Sequence, residues 1–386
     1  MWIQEAYKTV LLLLLLLGLP ALAACNPPPK IEAQAAVLLD MKTGQILFEK
    51  NCHVRNAPAS TTKVLTAIIA IESGRMDEEV KVSPRAAATA GSSMHLSAGQ
   101  RISMRELVVG LLLRSGNDAA VAIAEHLAGS VESFVALMNE KAQLLDAVNS
   151  HFVNPHGLSA AGHYSTAYDL ALITKYALSN PFFSSIVNTK ETNIEWLDRK
   201  GKEHDQTLRN TNKLLWMLEE ADGVKTGTTN QAGPCLISSA TRGNQKLIAV
   251  VLHDHSRWYD SMQLLKYGFD AFELYEYANK GDVISPIPIE GGTGPLIDAV
   301  VSAPATLVVP AADYQWITVS VHLPETIKAP VYQGQKIGEI VFLVRQQAVK
   351  TVDITAGQTI DERTNSKILL HYLLRTFRLL SSWGAL

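Results

Sequence analysis

The hydrophobic and polar positions of this chain fall into successive regimes. Residues 35–51, AAVLLDMKTGQILFEKN, place apolar-rich runs on either side of a Lys-Thr-Gly turn, which predicts a β-hairpin. From Thr61 to about Leu178 the spacing becomes helical. RELVVGLLLRSGNDAAVAIAEHLAG and VESFVALMNEKAQLL repeat apolar residues every three or four positions. From Val224 the runs GVKTGTT, PCLISSAT and KLIAVVLHD predict strands, and YDSMQLLKYGFDAFELYEY predicts a closing helix. Strand, helical block, strands and helix make an α+β domain around one sheet, spanning residues 31–276. After Asn279, short β-rich runs separated by Gly and Pro predict a small all-β domain over residues 280–362.

The two ends follow other patterns. Residues 1–24 read as an export signal, because the apolar run Val10–Leu17 is broken by Gly18 and Pro20 and is too short for a membrane span. Ala21-Leu22-Ala23 suits ordinary signal cleavage, whereas Leu22–Cys25 (LAAC) resembles a lipobox in which Cys25 would be lipidated. Either reading places the mature protein outside the cytoplasm, and with the tail described next the expected location is the outer face of the cytoplasmic membrane, in the periplasm or cell-wall space. In the tail, residues 364–386, Lys367, His371, Arg375 and Arg378 fall within an arc of about 80° on a helix. Apolar side chains fill most of the remainder. A basic stripe on an apolar helix suits a membrane-interface anchor, the alternative being a helix packed on a neighbouring domain.

Composition narrows the function classes. At 386 residues, 47% hydrophobic, the chain can bury two cores. The formal net charge of −3 comes without basic clusters in the body, so nucleic-acid binding has no electrostatic support. Cys52 and Cys235 have the spacing of no disulfide framework and read as free or buried thiols, the alternative in an exported protein being a bond between them. His253-Asp254-His255, with i, i+2 spacing and no third ligand apparent, reads as polar residues at the surface end of a strand, so no metal site is assigned. No Gly-rich phosphate loop and no other cofactor signature is present.

Three short segments can carry chemistry: Ser60-Thr61-Thr62-Lys63, Ser115-Gly116-Asn117 and Lys225-Thr226-Gly227. A serine hydroxyl is a weak nucleophile until a base takes its proton. Lys63, one helical turn after Ser60, is such a base if burial lowers its pKa. The apolar run behind Lys63 and a second cation, Lys225, both act in that direction. A second Lys-Thr-Gly, at Lys42–Gly44, is explained by its hairpin turn.

The order Ser-x-x-Lys, Ser-x-Asn, Lys-Thr-Gly resembles that of the penicillin-binding serine D,D-peptidases. PASTTKVLTA, LLLRSGNDAA, NPHGL, HYSTAYDLA and DGVKTGTTNQAGPCLISSA are similar to the low-molecular-mass D-alanyl-D-alanine carboxypeptidases in particular. The resemblance implies a penicillin-binding/serine β-lactamase-like transpeptidase fold, a β-rich C-terminal domain and a terminal anchor. It implies removal of the terminal D-alanine from peptidoglycan pentapeptides, with β-lactams as covalent inhibitors. By position, Ser60 would be the nucleophile and Lys63 its base. Ser115 would relay a proton to the leaving D-alanine with help from Lys225. Asn117 would bond the substrate peptide or the Lys63 amine. The N–H groups of Ser60 and Thr228 would form the oxyanion hole. Lys225, Thr226, Gly227 and Thr228 would bind the substrate, and Arg257 would receive its carboxylate. Arg114, Pro234 and the glycine-poor LDAVNSHF depart from the family pattern, which bears on loop shape only.

His156 and His163 read as loop-packing residues, with the alternative that His163 borders the site, and Asp169 as a helix-start or structural hydrogen-bonding residue. Two rivals share parts of this reading. A serine β-lactamase has the same three motifs, but the Glu-x-x-Leu-Asn segment of class A enzymes is not found. A non-catalytic wall-binding protein would have no need of every motif residue.

Overall fold

The computed structural model describes residues 27–363. The expected export signal, Cys25 and the helix over residues 364–386 lie outside the described residues.

The first strands are β1 (Ala35–Asp40) and β2 (Ile46–Lys50). Their turn is closed by Asp40, whose Oδ1 accepts from the Thr43 N–H at 2.8 Å and the Thr43 hydroxyl at 2.7 Å. Gly44 follows in the left-handed region at φ +75°, so the second Lys-Thr-Gly is a turn device. A 3₁₀ turn, Ala59–Thr62, then leads directly into α1 (Lys63–Glu72).

The helical block is interrupted by short strands. Along the chain come β3 (Glu79–Lys81), α2 (Pro84–Ala87), β4 (Arg101–Ser103), α3 (Met104–Leu113), α4 (Asn117–Ala128) and α5 (Val131–Leu144). They are followed by α6 (Ala167–Leu178), α7 (Pro181–Asn188), β5 (Glu191–Leu197), β6 (Glu203–Arg209) and the short α8 (Leu214–Met217). Ser103 and Glu106 form a reciprocal capping box on α3. The chain then runs through β7 (Ala221–Thr229), β8 (Gly233–Arg242) and β9 (Gln245–Leu252), with α9 (Arg257–Ala271) behind them.

The main sheet is antiparallel, in the order β2-β1-β9-β8-β7. Its central strands are covered on both faces. Val37, Leu39, Ile237, Ile248 and Val250 face the helical block. Leu38, Leu236, Leu247 and Ala249 face Leu264 and Leu265 of α9. That two-sided burial explains the unbroken apolar run of β1, all six residues of which are buried.

Two expectations are corrected. The catalytic body is not built around one sheet: β3-β4-β5-β6 form a second, four-stranded sheet. Its strands escaped periodicity because β3 and β4 are three residues each and β5 and β6 are largely exposed. The closing helix ends at Ala271, not Tyr277. Phe272–Ala278 is a strand, β10, paired with β13 (Ala305–Pro310). Partner strands and the burial of Leu274 outweigh the helical spacing there.

Beyond β10 the described residues, to Arg363, are all-β apart from one 3₁₀ turn, Ala311–Trp316. Strands β11 (Val283–Glu290), β12 (Leu296–Val301), β14 (Ile317–His322), β15 (Ile327–Lys328), β16 (Lys336–Val344) and β17 (Gln347–Ala356) form one sheet in the order β14-β16-β17-β12-β11-β15. Its own core includes Ile297, Ile340, Phe342 and Ile354. Among the described residues no single helix is long and apolar enough to cross a membrane.

Candidate active site

The three motifs converge where the 3₁₀ turn meets the edge of the main sheet. Pro58 starts that turn without a side-chain cap, and Ala59 is held at φ +50°. A left-handed non-glycine residue is strained, and here it directly precedes Ser60. The turn leaves Ser60 half-buried and puts Lys63 at the first position of α1, wholly buried.

The Lys63 amine makes three contacts. Its Nζ lies 2.9 Å from Ser60 Oγ, 2.7 Å from Asn117 Oδ1 and 2.6 Å from the His156 carbonyl oxygen. A neutral amine carries two N–H donors and one lone pair. The two carbonyl oxygens take the two donors, which leaves the lone pair facing the Ser60 hydroxyl. Burial, and secondarily the charge of Lys225, hold the Lys63 pKa well below the ordinary lysine value against an opposing pull from Asp118.

Asn117 opens α4 and is fixed by its other end, since its Nδ2 donates to the Ala90 carbonyl at 2.6 Å. The adjoining Ser115 stands at φ +62°. Its hydroxyl is buried and has no hydrogen-bond partner among the described residues. Asp118, fully buried, holds the facing loop: its carboxylate accepts from the N–H groups of Met94 and Leu96 and from the Ser93 hydroxyl.

Strand β7 supplies the opposite wall. Gly227 packs against the 3₁₀ turn so closely that an added Cβ would lie 2.9 Å from the Ser60 nitrogen and 3.0 Å from Ala59 Cβ. Only glycine lets strand and turn meet at this distance. Lys225 is 1% exposed, and its Nζ donates to the Thr226 carbonyl at 3.1 Å. Burial and the nearby Arg257 charge bring its pKa down to about 7. Thr226 Oγ1 lies 3.1 Å from Thr211 Oγ1, and Thr228 is exposed.

Arg257 sits at the first position of α9 and reaches back to β7 and β8. Its Nη1 donates to the Gly227 carbonyl and to Thr228 Oγ1, both at 2.9 Å, and to the Cys235 carbonyl at 3.2 Å. These acceptors are uncharged, and among the described residues Arg257 forms no ion pair. Arg257 and Lys225 thus stand at one edge of the sheet, and among the described residues no carboxylate is bridged to either, a setting that favours an anionic ligand.

All nine residues singled out in the sequence fall in this region. Sequence reasoning missed Asp118, Thr211 and the carbonyl groups of His156 and Ala90. A carbonyl has no sequence signature, but an aspartate directly after Ser-Gly-Asn was visible as a candidate. His163 is a packing residue bonded to the site: its Nδ1 accepts from the Val153 N–H, and its Nε2 lies 3.0 Å from Thr62 Oγ1. Burial, foremost, lowers its pKa to about 4 and that of His156 to about 3, so both rings are neutral near pH 7. Asp169 accepts from the Asn149 N–H and the Ser150 hydroxyl, while Thr166 caps α6. Cys52 and Cys235 are free and buried.

Comparison with known proteins places this geometry in context. Residues 22–256 match the family described as D-alanyl-D-alanine carboxypeptidase. Residues 272–362 match the C-terminal domain of penicillin-binding protein 5. The chain is 34% identical over 320 residues to D-alanyl-D-alanine carboxypeptidase DacF of Bacillus subtilis, covering 81% of each chain. It is 35% identical over 352 residues to DacD of Escherichia coli, covering 87% of this chain and 88% of the relative. Among solved structures, penicillin-binding protein 5 of Haemophilus influenzae superimposes with a TM-score of 0.76 at 30% identity, covering 87% of this chain and 99% of the other.

Proposed function

Because the chain belongs to the D-alanyl-D-alanine carboxypeptidase family, we propose that it removes the terminal D-alanine from peptidoglycan pentapeptide stems through an acyl-enzyme on Ser60. The observation that carries the mechanism is the buried Lys63 Nζ, 2.9 Å from Ser60 Oγ and flanked by the Asn117 and His156 carbonyl oxygens, a position from which the neutral amine can take the Ser60 proton.

Ser60 Oγ attacks the carbonyl carbon of the penultimate D-alanine, and its proton passes to Lys63 Nζ. The N–H groups of Ser60 and Thr228 receive the oxyanion, where a lost donor costs roughly 10²–10³ in rate. Collapse breaks the peptide C–N bond. Ser115 passes its hydroxyl proton to the departing nitrogen and is reprotonated from Lys63, with Lys225 stabilising the charge on the relay. Free D-alanine leaves, and water then hydrolyses the ester. The substrate carboxylate is received by Arg257, Lys225 and the hydroxyls of Thr226 and Thr228, and β7 pairs with the substrate backbone. A β-lactam enters the same sequence, but its leaving group stays tethered, so the acyl-enzyme persists.

The enzyme works outside the cytoplasm, at the outer face of the cytoplasmic membrane. That part of the reading is supported by the export signal in residues 1–24 and the amphipathic pattern of residues 364–386.

Mass spectrometry tests the whole reading. Incubation with a D-Ala-D-Ala pentapeptide should release one D-alanine, and penicillin should leave a slowly lost adduct on the Ser60 peptide. Rapid turnover of penicillin, or an adduct retained by Ser60→Ala, would overturn it.

A further inference from the structure

The end of β2 carries Glu49 and the turn after it carries Cys52 and His53, none of which the acyl-transfer chemistry uses. One ligand-capable atom from each lies within 4.8 Å of the other two. Cys52 Sγ and Glu49 Oε2 are 3.4 Å apart. A tetrahedral zinc ion with sulfur at about 2.3 Å and oxygen at about 2.0–2.2 Å separates two such donors by about 3.5–3.7 Å. Two of the three donors therefore already stand close to the spacing of ligands on one ion.

The backbone holds them there. Glu49 is fixed opposite Val37 in the β1–β2 pair. Asn51, at φ +48°, reverses the chain so that Cys52 and His53 turn back beside it. The Tyr168 N–H donates to the Cys52 carbonyl at 3.0 Å, and the His53 ring packs 4.9 Å from the Tyr168 ring. Cys52 is 3% exposed, whereas Glu49 and His53 are exposed, so sulfur is offered from the protein side and oxygen and nitrogen from the solvent side. Among the described residues Glu49 forms no ion pair, and its carboxylate takes only the Cys52 thiol as side-chain donor.

We propose that Glu49, Cys52 and His53 form a site for a borderline divalent cation such as zinc, with water as the fourth ligand. The sulfur and imidazole donors select against magnesium and calcium. Binding turns the Cys52 thiol into a thiolate and releases its proton to solvent. One thiolate and one carboxylate then neutralise the ion.

Cobalt(II) titration of the full, metal-free chain reads out the site. One equivalent should produce a thiolate-to-cobalt charge-transfer band with tetrahedral visible absorption, displaced by zinc. Cys52→Ser should lose the charge-transfer band. His53→Ala should weaken binding by more than the roughly 10–100-fold typical of losing an outer-shell partner. Penicillin acylation of Ser60 should be retained by both variants, which verifies that they are folded. Absence of the band in the parent chain overturns the proposal. So does a band that persists in Cys52→Ser, since it would then arise from another thiol.

Discussion

At the scale of single residues, the site depends on two lysines held in different charge states. Lys63 acts as a base only while neutral, so acylation should rise with pH through its lowered pKa. Lys225 holds a positive charge for the carboxylate and the relay, and burial places its pKa at about 7 in the free enzyme. The profile of kcat/KM reports free-enzyme groups, so it should be bell-shaped, with its basic limb near pH 7. Lys225→Arg, which keeps its charge to far higher pH, should abolish that limb in whatever activity it retains. Lys63→Ala should lower acylation by about 10³-fold or more, because the loss of an activating base removes the nucleophile's driving force. A basic limb unmoved in Lys225→Arg would show that another group governs it. The same residue makes a separate prediction for stability. With its folded pKa depressed from 10.5 to about 7, the unfolded chain binds more protons between those values. Stability should therefore rise with pH across that window, and Lys225→Met should flatten the slope in denaturant titrations at pH 7 and pH 9.

At the scale of elements, the catalytic geometry is a close approach of strand β7 to the 3₁₀ turn, and Gly227 is the point of contact. An alanine Cβ there would meet the Ser60 nitrogen at 2.9 Å and the Pro58 carbonyl oxygen at 3.2 Å. Both neighbours are backbone and cannot swing aside. Gly227→Ala should push β7 outward and open the oxyanion hole, lowering penicillin acylation by roughly 10²–10³. The displaced backbone should also lower stability, by about 1–3 kcal/mol, while β7 keeps its pairing with β8. A wild-type acylation rate in this variant would show that the strand does not set the hole. The same contact explains what the sequence disclosed. Ser60, Lys63, Asn117 and Lys225 were legible because their residue types and order carry the chemistry. The Lys63 environment was not legible in full. Two of its three partners come from residues 117 and 156, and one of those is a backbone carbonyl. The second sheet was hidden for a related reason. The three-residue β3 and β4 and the exposed β5–β6 hairpin are stabilised by pairing rather than by an apolar face, so hydropathy carries little trace of them.

At the scale of the whole molecule, the catalytic body and the β-rich domain share a seam rather than a site. The sheet face behind β8 and β9 is covered by Leu264 and Leu265 of α9, and Leu274 of β10 and Val308 of β13 join the same apolar cluster. Lys42 pairs with Glu276 across the seam, and the Asn244 side chain donates to Glu276 at 2.7 Å. The catalytic residues lie elsewhere: Ser60, Lys63 and Asn117 pack against the helical block on the opposite face. A chain ending after Ala271 should therefore keep the penicillin acylation rate within about twofold, a change of about 0.4 kcal/mol in the barrier. It should lose stability, because apolar surface on α9 and the sheet edge becomes wet. With about 1.5–3 kcal/mol for each large apolar side chain withdrawn from burial, a loss of about 3 kcal/mol lowers Tm by roughly 6–12 °C in a body of this size. Stopped-flow acylation and calorimetry on the same preparation separate the two effects. An acylation rate that falls while Tm is unchanged would mean that the β-rich domain shapes the active site, and the seam would then have to transmit to Arg257 through α9, whose first residue carries it.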